Sequence, residues 1–504
     1  MGLARHRWRW WTVRVALPAA LLVVVPTALS AAEGTDIGGD FPKNPLKELY
    51  DVPGPALLGK DFVFVGHTRR DDDYVRDHFG LRRFVLSGTD WKEDVTFSDL
   101  ANTPPYLPRG GRRLGNSFHD LAGKIDPASA RSLRNYPNRV LAGPDGGWFL
   151  VGRVGGDEGK PIPALLKLKA DGTVDADYGK SGRAVLPARH RTNGITAAAV
   201  VGPKEPRLWL GLPGPGGMGV ARLDAKGSLD ASFGDDGMLF TELAGYENVW
   251  PQKILAHEDG SATVVACAAN RGKKHLVLAR ITAAGKLEAE KFGGDKGKGG
   301  WTPLEQTLCD TWMYAPRTGR PSAYYFAADA WAVNTGASAV TVAVDGQDPC
   351  RDRIDPIFGA RALNWRKDTV GLLRLSADGT PDAAFGTNGV VVLDPPTGQK
   401  ATVGALVTGK DGELWLAAVL KSKDGTALGW ARVDGKGKRL PWSKTDGRST
   451  AKTDGDWLVF PVERDRDITV RAVRFEDGKA TAFGYAAGRD ETDALRWKLW
   501  RVKN

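Results

Sequence analysis

The chain has 504 residues, 63 of them Gly and 30 Pro, with 42% hydrophobic and 26% charged residues. That length exceeds one ordinary hydrophobic core, so the chain either splits into domains or repeats a small unit, and glycine-rich punctuation without heptads points to short strands joined by turns. The formal charge is +10, of which Arg5, Arg7, Arg9 and Arg14 supply four and the rest of the chain +6; this argues against a nucleic-acid partner, because the densest later cluster is only Arg109, Arg112 and Arg113 in a Pro/Gly-rich loop.

In chain order, those four arginines precede an apolar stretch from Val15 to Leu29 and the small residues Ser30, Ala31 and Ala32. This is the pattern of a secretory signal peptide, with cleavage expected after Ala32 and an uncleaved anchor as the alternative. Pro18 and Pro26 interrupt the stretch, and no later segment is long and apolar enough to span a membrane. The expectation is therefore an exported protein, periplasmic or extracellular. It comprises a leader over 1–32, a linker over 33–57 and a single domain over 58–504.

The next strands are FVFVG from Phe62 and RRFVL from Arg82, where no turn motif is recognisable. From there the chain repeats itself. Leu165 to Leu186 reads LLKLKADGTVDADYGKSGRAVL, Val220 to Phe240 reads VARLDAKGSLDASFGDDGMLF, and Leu372 to Leu393 reads LLRLSADGTPDAAFGTNGVVVL. Looser copies start at Leu278, Ala431 and Val473. Alternating residues such as Leu373 and Leu375 against Arg374 and Ser376 predict a strand with one face on a core. Asp378-Gly379 supplies a tight reversal. An aromatic residue followed by Gly comes next, as Tyr178-Gly179, Phe233-Gly234 and Phe385-Gly386, and the ring is read as a plug between neighbouring units.

A second hairpin lies upstream of each of these, turning at Asp145-Gly146, Asp259-Gly260, Asp411-Gly412 and Asp454-Gly455. One unit thus holds about four strands, which is the make-up of a propeller blade. The prediction is an all-β chain forming a β-propeller of about seven four-stranded blades, with six or eight also open, and an irregular insertion near 294–370. Blades are placed at 58–105, 137–190, 194–245, 249–300, 320–395, 400–445 and 450–504. The terminal segment Leu495 to Val502 is expected to close the ring on the first blade.

The D-G-x-x-D-x-x-F-G-x-x-G core resembles the delta-60 repeat family of bacterial exported β-propellers, over about two thirds of the chain and most clearly in the three copies quoted. The resemblance implies a fold and lends little to function.

Chemistry is harder to find. Asp171, Asp175, Asp177, Asp224, Asp230, Asp378 and Asp382 are possible calcium ligands, but the copies vary, with Ala284 and Lys286 at corresponding places, and turn stabilisation is the favoured reading. Gly179-Lys180-Ser181 lacks the earlier glycine of a phosphate loop, and no G-x-S-x-G or H-E-x-x-H motif occurs. His67, His78, His119, His190, His257 and His275 are dispersed. No metal and no cofactor is expected.

Cys309 and Cys350 flank the insertion and are candidates for a disulfide, while Cys267 lies in an apolar run as a buried thiol. The insertion carries Trp301, Trp312, Tyr314, Tyr324 and Tyr325, which either cap the channel or stack on a ligand. The functional expectation is a monomeric, non-catalytic scaffold or binding protein for a protein or glycan. The alternative is a propeller-fold enzyme, glycosidase-like or like a quinoprotein dehydrogenase. ARVDGKGKRLPW, ending at Trp442, looks like one copy of the latter's tryptophan-docking motif, and Ser376, Asp378 and Thr380 resemble part of a sialidase Asp-box.

Overall fold

The computed structural model describes residues 34–36, 52–59, 62–70, 76–87, 90–94, 96–97, 117–119, 133–134, 136–155, 161–187, 194–201, 207–270, 273–293, 299–304, 332–334, 339–345, 368–442, 451–464, 466–488 and 496–503. Apart from a single 3-10 turn at Lys410–Gly412, the regular structure among them is β-strand, paired almost throughout in antiparallel fashion. No helix among the described residues is long and apolar enough to cross a membrane.

The strands fall into successive antiparallel units, most of them wound outward in chain order. Unit two is the simplest, with Tyr136–Ala142, Trp148–Gly155, Pro161–Leu168 and Arg183–Val185 side by side. Unit three holds Ala197–Val201, Arg207–Pro215, Gly217–Leu223 and Met238–Glu242. Unit four runs from Asn248–Ala256 through Ala262–Asn270 and Lys273–Ile281 to Trp301–Leu304. Unit five comprises Ala332–Asn334, Val340–Asp345, Val370–Leu375 and Val390–Leu393. Unit six comprises Lys400–Thr408, Leu414–Ser422, Gly425–Val433 and Trp457–Val459, with Lys452–Asp454 added outside.

Unit one begins with Val52–Leu58, Phe62–Arg70 and Arg76–Ser87. Both Asp90–Glu93 and Ser117–His119 then pair with Arg76–Ser87. Unit seven is made of Arg466–Glu476, Lys479–Gly488 and Arg496–Lys503, and its outer strand is Gly34–Asp36 from the other end of the chain.

The first strand of each unit packs against the first strand of the next, and that of unit seven returns to that of unit one. Four-stranded sheets standing around a closed ring of inner strands make a β-propeller. Because each sheet is sandwiched between two others, its central strands are buried on both faces. Gly217–Leu223 and Val370–Leu375 are buried at every position. The alternation of Leu373 and Leu375 with Arg374 therefore does not mark a wet face, and Arg374 is 9% exposed.

Several boundaries differ from the sequence reading. The stretch 33–57, expected as linker, contributes the strands Gly34–Asp36 and Val52–Leu58. The hairpin turning at Asp454-Gly455 belongs to unit six rather than opening the last unit, because Trp457–Val459 takes the outer place beside Gly429–Ala431. Arg496–Lys503 is the third strand of unit seven, not a closing strand on unit one; the alternation it shares with any strand does not specify its neighbour. Within the expected insertion, Trp301–Leu304 completes unit four and Ala332–Asn334 begins unit five.

Candidate functional site

The repeat builds one end of the ring. Lys167, Arg222 and Arg374 sit near the end of the third strand of their units, and eight residues later come Asp175, Asp230 and Asp382. Arg222 Nε donates to Asp230 Oδ2 at 2.9 Å, Arg374 Nε to Asp382 Oδ2 at 2.7 Å, and Lys167 Nζ lies 2.9 Å from Asp175. The ring three residues further on packs under the cation, with the Arg222 guanidinium 4.6 Å from the Phe233 centroid and Arg374 4.3 Å from Phe385. Lys167 also reaches the first hairpin, at 2.5 Å from Asp145, so one cation holds both turns of its unit.

This set then bonds to the next unit. The N–H groups of Gly179, Gly234, Gly293 and Gly386 donate to the carbonyls of Lys226, Ala284, Asp378 and Lys436, at 2.7, 2.9, 2.7 and 2.8 Å. Arg222 Nη1 donates to Ala283 O and Arg374 Nη1 to Gly435 O, both at 2.5 Å. The turn glycines explain the close fit. At Gly227, φ is +84° and a Cβ would lie 2.7 Å from the Tyr178 ring of the preceding unit. The aromatic is thus a plug between units, and the glycine is the space it needs.

The aspartates proposed above as turn formers serve that role here. Asp230 accepts from the Ser232 N–H and hydroxyl, Asp378 from Ser376 and Thr380, Asp171 from Thr173, and Asp224 from the Lys226 and Ser228 amides. Burial raises the Asp230 pKa, but the Ser232 bonds and then Arg222 and Arg207 outweigh it and hold the carboxyl below the usual carboxylate range. A charged carboxylate engaged on both oxygens is suited to neither proton donation nor metal ligation. Among the described residues, no group of three or more His, Cys, Asp or Glu gathers as a metal site.

Units four and six vary the theme. In unit four, Arg280 Nε and Nη2 lie 3.4 Å from Glu288 and Asp259, and Thr263 Oγ1 is shared between Arg280 and His257 Nε2, the latter at 2.8 Å. Burial and the Arg280 cation push the imidazole down to about 4. In unit six, Leu440 stands where the acid would be. Arg432 instead lies 5.1 Å from the Trp415 ring and 4.5 Å from that of Trp442. Trp442 Nε1 donates to Trp430 O at 3.2 Å and Asp456 O at 3.1 Å, so this indole packs in the core of its own unit.

The other end of the ring is built differently. In an antiparallel unit the first and third reversals share one end, while the second reversal and the passage to the next unit share the other. Leu304, Ala332, Asp345 and Val370 all stand at that second end, flanking 305–331 and 346–369. Near the ring's centre, buried polar groups converge. Arg139 Nη2 donates to Gln252 O at 3.2 Å, spanning from the inner strand of unit two to that of unit four, and Thr196 Oγ1 donates to Pro251 O at 2.7 Å. Gln252 is the bulged residue of its strand, 4% exposed, and its Nε2 bonds Trp250 O at 3.2 Å.

Of the sequence candidates, Trp301 is 4% exposed and packs edge-on against Tyr246 at 5.7 Å, as a core residue. Trp312, Tyr314, Tyr324, Tyr325, Cys309 and Cys350 lie outside the described residues, as do Arg109, Arg112, Arg113 and His190. Cys267 is a buried free thiol.

The sequence reading missed the cation and the first copy of the motif. Asp94-Val-Thr-Phe97 is that copy: Thr96 caps Asp94, Arg83 Nε donates to Asp94 at 2.7 Å, and the guanidinium stands 4.7 Å from the Phe97 centroid. The signal available was a basic residue on the third strand followed by D-x-x-[FY].

No protein-family model matches the chain, and no curated protein matches it. Among solved structures, the chain is similar to the β-propeller domain of the trilobed protease from Pyrococcus furiosus, at 8% identity and a TM-score of 0.39, covering 90% of this chain and 93% of that one. It is also similar to a sucrose-6-phosphate hydrolase from Lactobacillus gasseri, at 9% identity and a TM-score of 0.32, covering 94% and 92%. A third likeness is to the polysaccharide lyase Uly1, at 10% identity and a TM-score of 0.35, covering 74% and 91%. Likenesses this distant assign no chemistry, and the architecture rests on the strand pairing itself.

Proposed function

We propose that the chain is an exported β-propeller of the delta-60 repeat kind that binds a protein or glycan, without catalysing a reaction, on the end of the ring opposite the repeated turns. One observation carries this reading. The motif pins one end of the ring with charge-assisted and inter-unit bonds, whereas the two long connections 305–331 and 346–369 leave from and return to the other end. Binding residues are commonly placed on irregular connections held by a rigid scaffold. The aromatic residues Trp312, Tyr314, Tyr324 and Tyr325 fall in such a connection and supply flat faces for sugar rings or a partner's side chains.

The test is retention of the purified chain on immobilised cell-wall polysaccharide and on intact cell envelopes. Trp312→Ala combined with Tyr314→Ala should abolish retention while leaving the thermal midpoint unchanged. Retention equal to that of the parent removes this site. Steady release of reducing sugar from the polysaccharide by the parent would replace binding with the glycosidase-like alternative.

A further inference from the structure

We infer that a second, shorter repeat on the inner strands of units two and four builds a subsite for an acidic sugar near the axis of the ring, with Trp250 as its platform, Gln252 as its acceptor and Lys253 as its counter-charge. The inference rests on the glycan-binding reading above and names the chemistry of the ligand. The repeat is Tyr136-Pro137-Asn138-Arg139 and Trp250-Pro251-Gln252-Lys253: an aromatic, a proline, an amide and a cation. Both copies lie across the bulge of their strand, and Arg139 and Lys253 each open its last four paired positions. In unit six Ala405 holds that position, after Thr402-Val403-Gly404, and in unit seven Thr469-Val470-Arg471-Ala472 spans the bulge. The wall of the ring is thus made there with threonine, valine and alanine, so packing alone does not call for an aromatic and a cation.

A bulge frees one residue from the ladder and re-aims its side chain, and proline suits such a place because it has no N–H to pair. Cross-strand pairs share a face of the sheet. Trp250 pairs with Cys267 and Lys253 with Val265, and these partners belong to the apolar cluster that holds Ala332 and Val340 of unit five. Trp250 and Lys253 therefore stand on the face turned to unit five, both half-buried on an innermost strand. Unit five is the unit flanked by the connections 305–331 and 346–369, and Trp250 lies on their side of the bulge, since the strand begins beside Pro215 at that end of the ring.

The two copies touch. Arg139 spans unit three, whose inner strand offers Ala197, Ala198 and Ala199, and its Nη2 donates to Gln252 O. Gln252 Nε2 donates to Trp250 O, which fixes the amide and leaves Oε1 buried with no donor among the described residues. A buried acceptor of this kind calls for a donor, which a ligand hydroxyl supplies. The half-buried indole offers a flat apolar face to the carbons of a sugar ring. Arg139, Lys253 and Arg471 bring cations to the level of the bulge, whereas the carboxylates of the described inner strands are Asp467 and Glu476, toward the ends of theirs. A uronate ring, with hydroxyls along one edge and a carboxylate at the other, matches this set better than a neutral sugar.

Calorimetric titration of the full chain with tetragalacturonate and, as the neutral probe, cellotetraose tests this. The parent should bind tetragalacturonate roughly tenfold or more tightly than cellotetraose. Lys253→Met should weaken tetragalacturonate by about tenfold and leave cellotetraose unchanged, while Lys253→Arg keeps the preference. A merely structural lysine would change both probes together. Trp250→Ala and Gln252→Met should weaken both. A parent that is retained on cell-wall polysaccharide but binds the two tetrasaccharides equally, or neither, overturns this inference and leaves the binding reading in place; a parent that is not retained and binds neither overturns both. A preference for tetragalacturonate that Lys253→Met does not reduce also overturns it. Should Trp250→Ala fail to fold, the comparison of Lys253→Met with Lys253→Arg decides.

Discussion

Units three and six put an arginine at the same place and surround it differently. Arg222 meets a carboxylate, a phenyl ring and a carbonyl of the next unit, so it joins two sheets. Arg432 meets two indoles and the Pro441 carbonyl of its own unit, at 2.8 Å, so these contacts pack it within one sheet. The first arrangement is repeated around the ring, and the second stands where the repeat ends. The same cation can be an inter-unit tie or a packing element, depending on whether an acid and an aromatic-glycine pair follow it.

The largest effect expected is from the plug itself. Phe233→Ala should lower the unfolding free energy by about 3–5 kcal/mol, because it empties a fully buried site between two sheets. Denaturant midpoints measure it, and a loss below about 1 kcal/mol would mean the ring is not a plug. Next, Asp230→Asn leaves Arg222 buried without its counter-charge and should cost roughly 3 kcal/mol, discounted for the 10% exposure of Asp230. Glu413→Gln near Arg432 should cost far less, about 1 kcal/mol or under, since the indoles carry that contact. Equal costs would erase the distinction between the two units.

Gly227→Ala should cost about 2 kcal/mol, from a positive φ and the approach to Tyr178. A further effect is that of pH. The His257 pKa is depressed to about 4 in the folded chain, so the unfolded chain takes up a proton first as pH falls below its ordinary 6.5. Stability should therefore decline between roughly pH 6.5 and 4 by about 1–2 kcal/mol, after allowance for screening, and then level off for this group. Asp94, Asp230, Asp259 and Asp378, all lowered, add a further loss only as pH falls through and below the ordinary carboxylate value of 3.8. His257→Gln should flatten the upper part of this profile and leave the lower part.

Much of this architecture was legible. The turn glycines and the aromatic-glycine pairs repeat in sequence because each must fit the same neighbour, so they announce both the unit and its stacking. The motif of unit one escaped notice because its hairpin is lengthened, with eleven residues rather than eight from Arg83 to Asp94. The outer strand of unit seven, Gly34–Asp36, escaped because three residues pairing with a strand far away in sequence leave no local pattern. Trp301 was read as a candidate binding aromatic because sequence shows an aromatic in an irregular stretch but not the strand of unit four that buries it. The centre of the ring, where Arg139 crosses to Gln252, escaped because its short motif occurs in two units only and the contact arises from strands far apart in the chain.

The central claim is that surface turns on one end of the ring are bonded to the neighbouring unit. Residue-resolved amide exchange of Gly179, Gly234, Gly293 and Gly386 tests it most directly. These amides should exchange as slowly as those of Gly217–Leu223, because their acceptors lie in the next unit. Exchange as fast as that of the exposed hairpin turn at Gly478 would contradict the account.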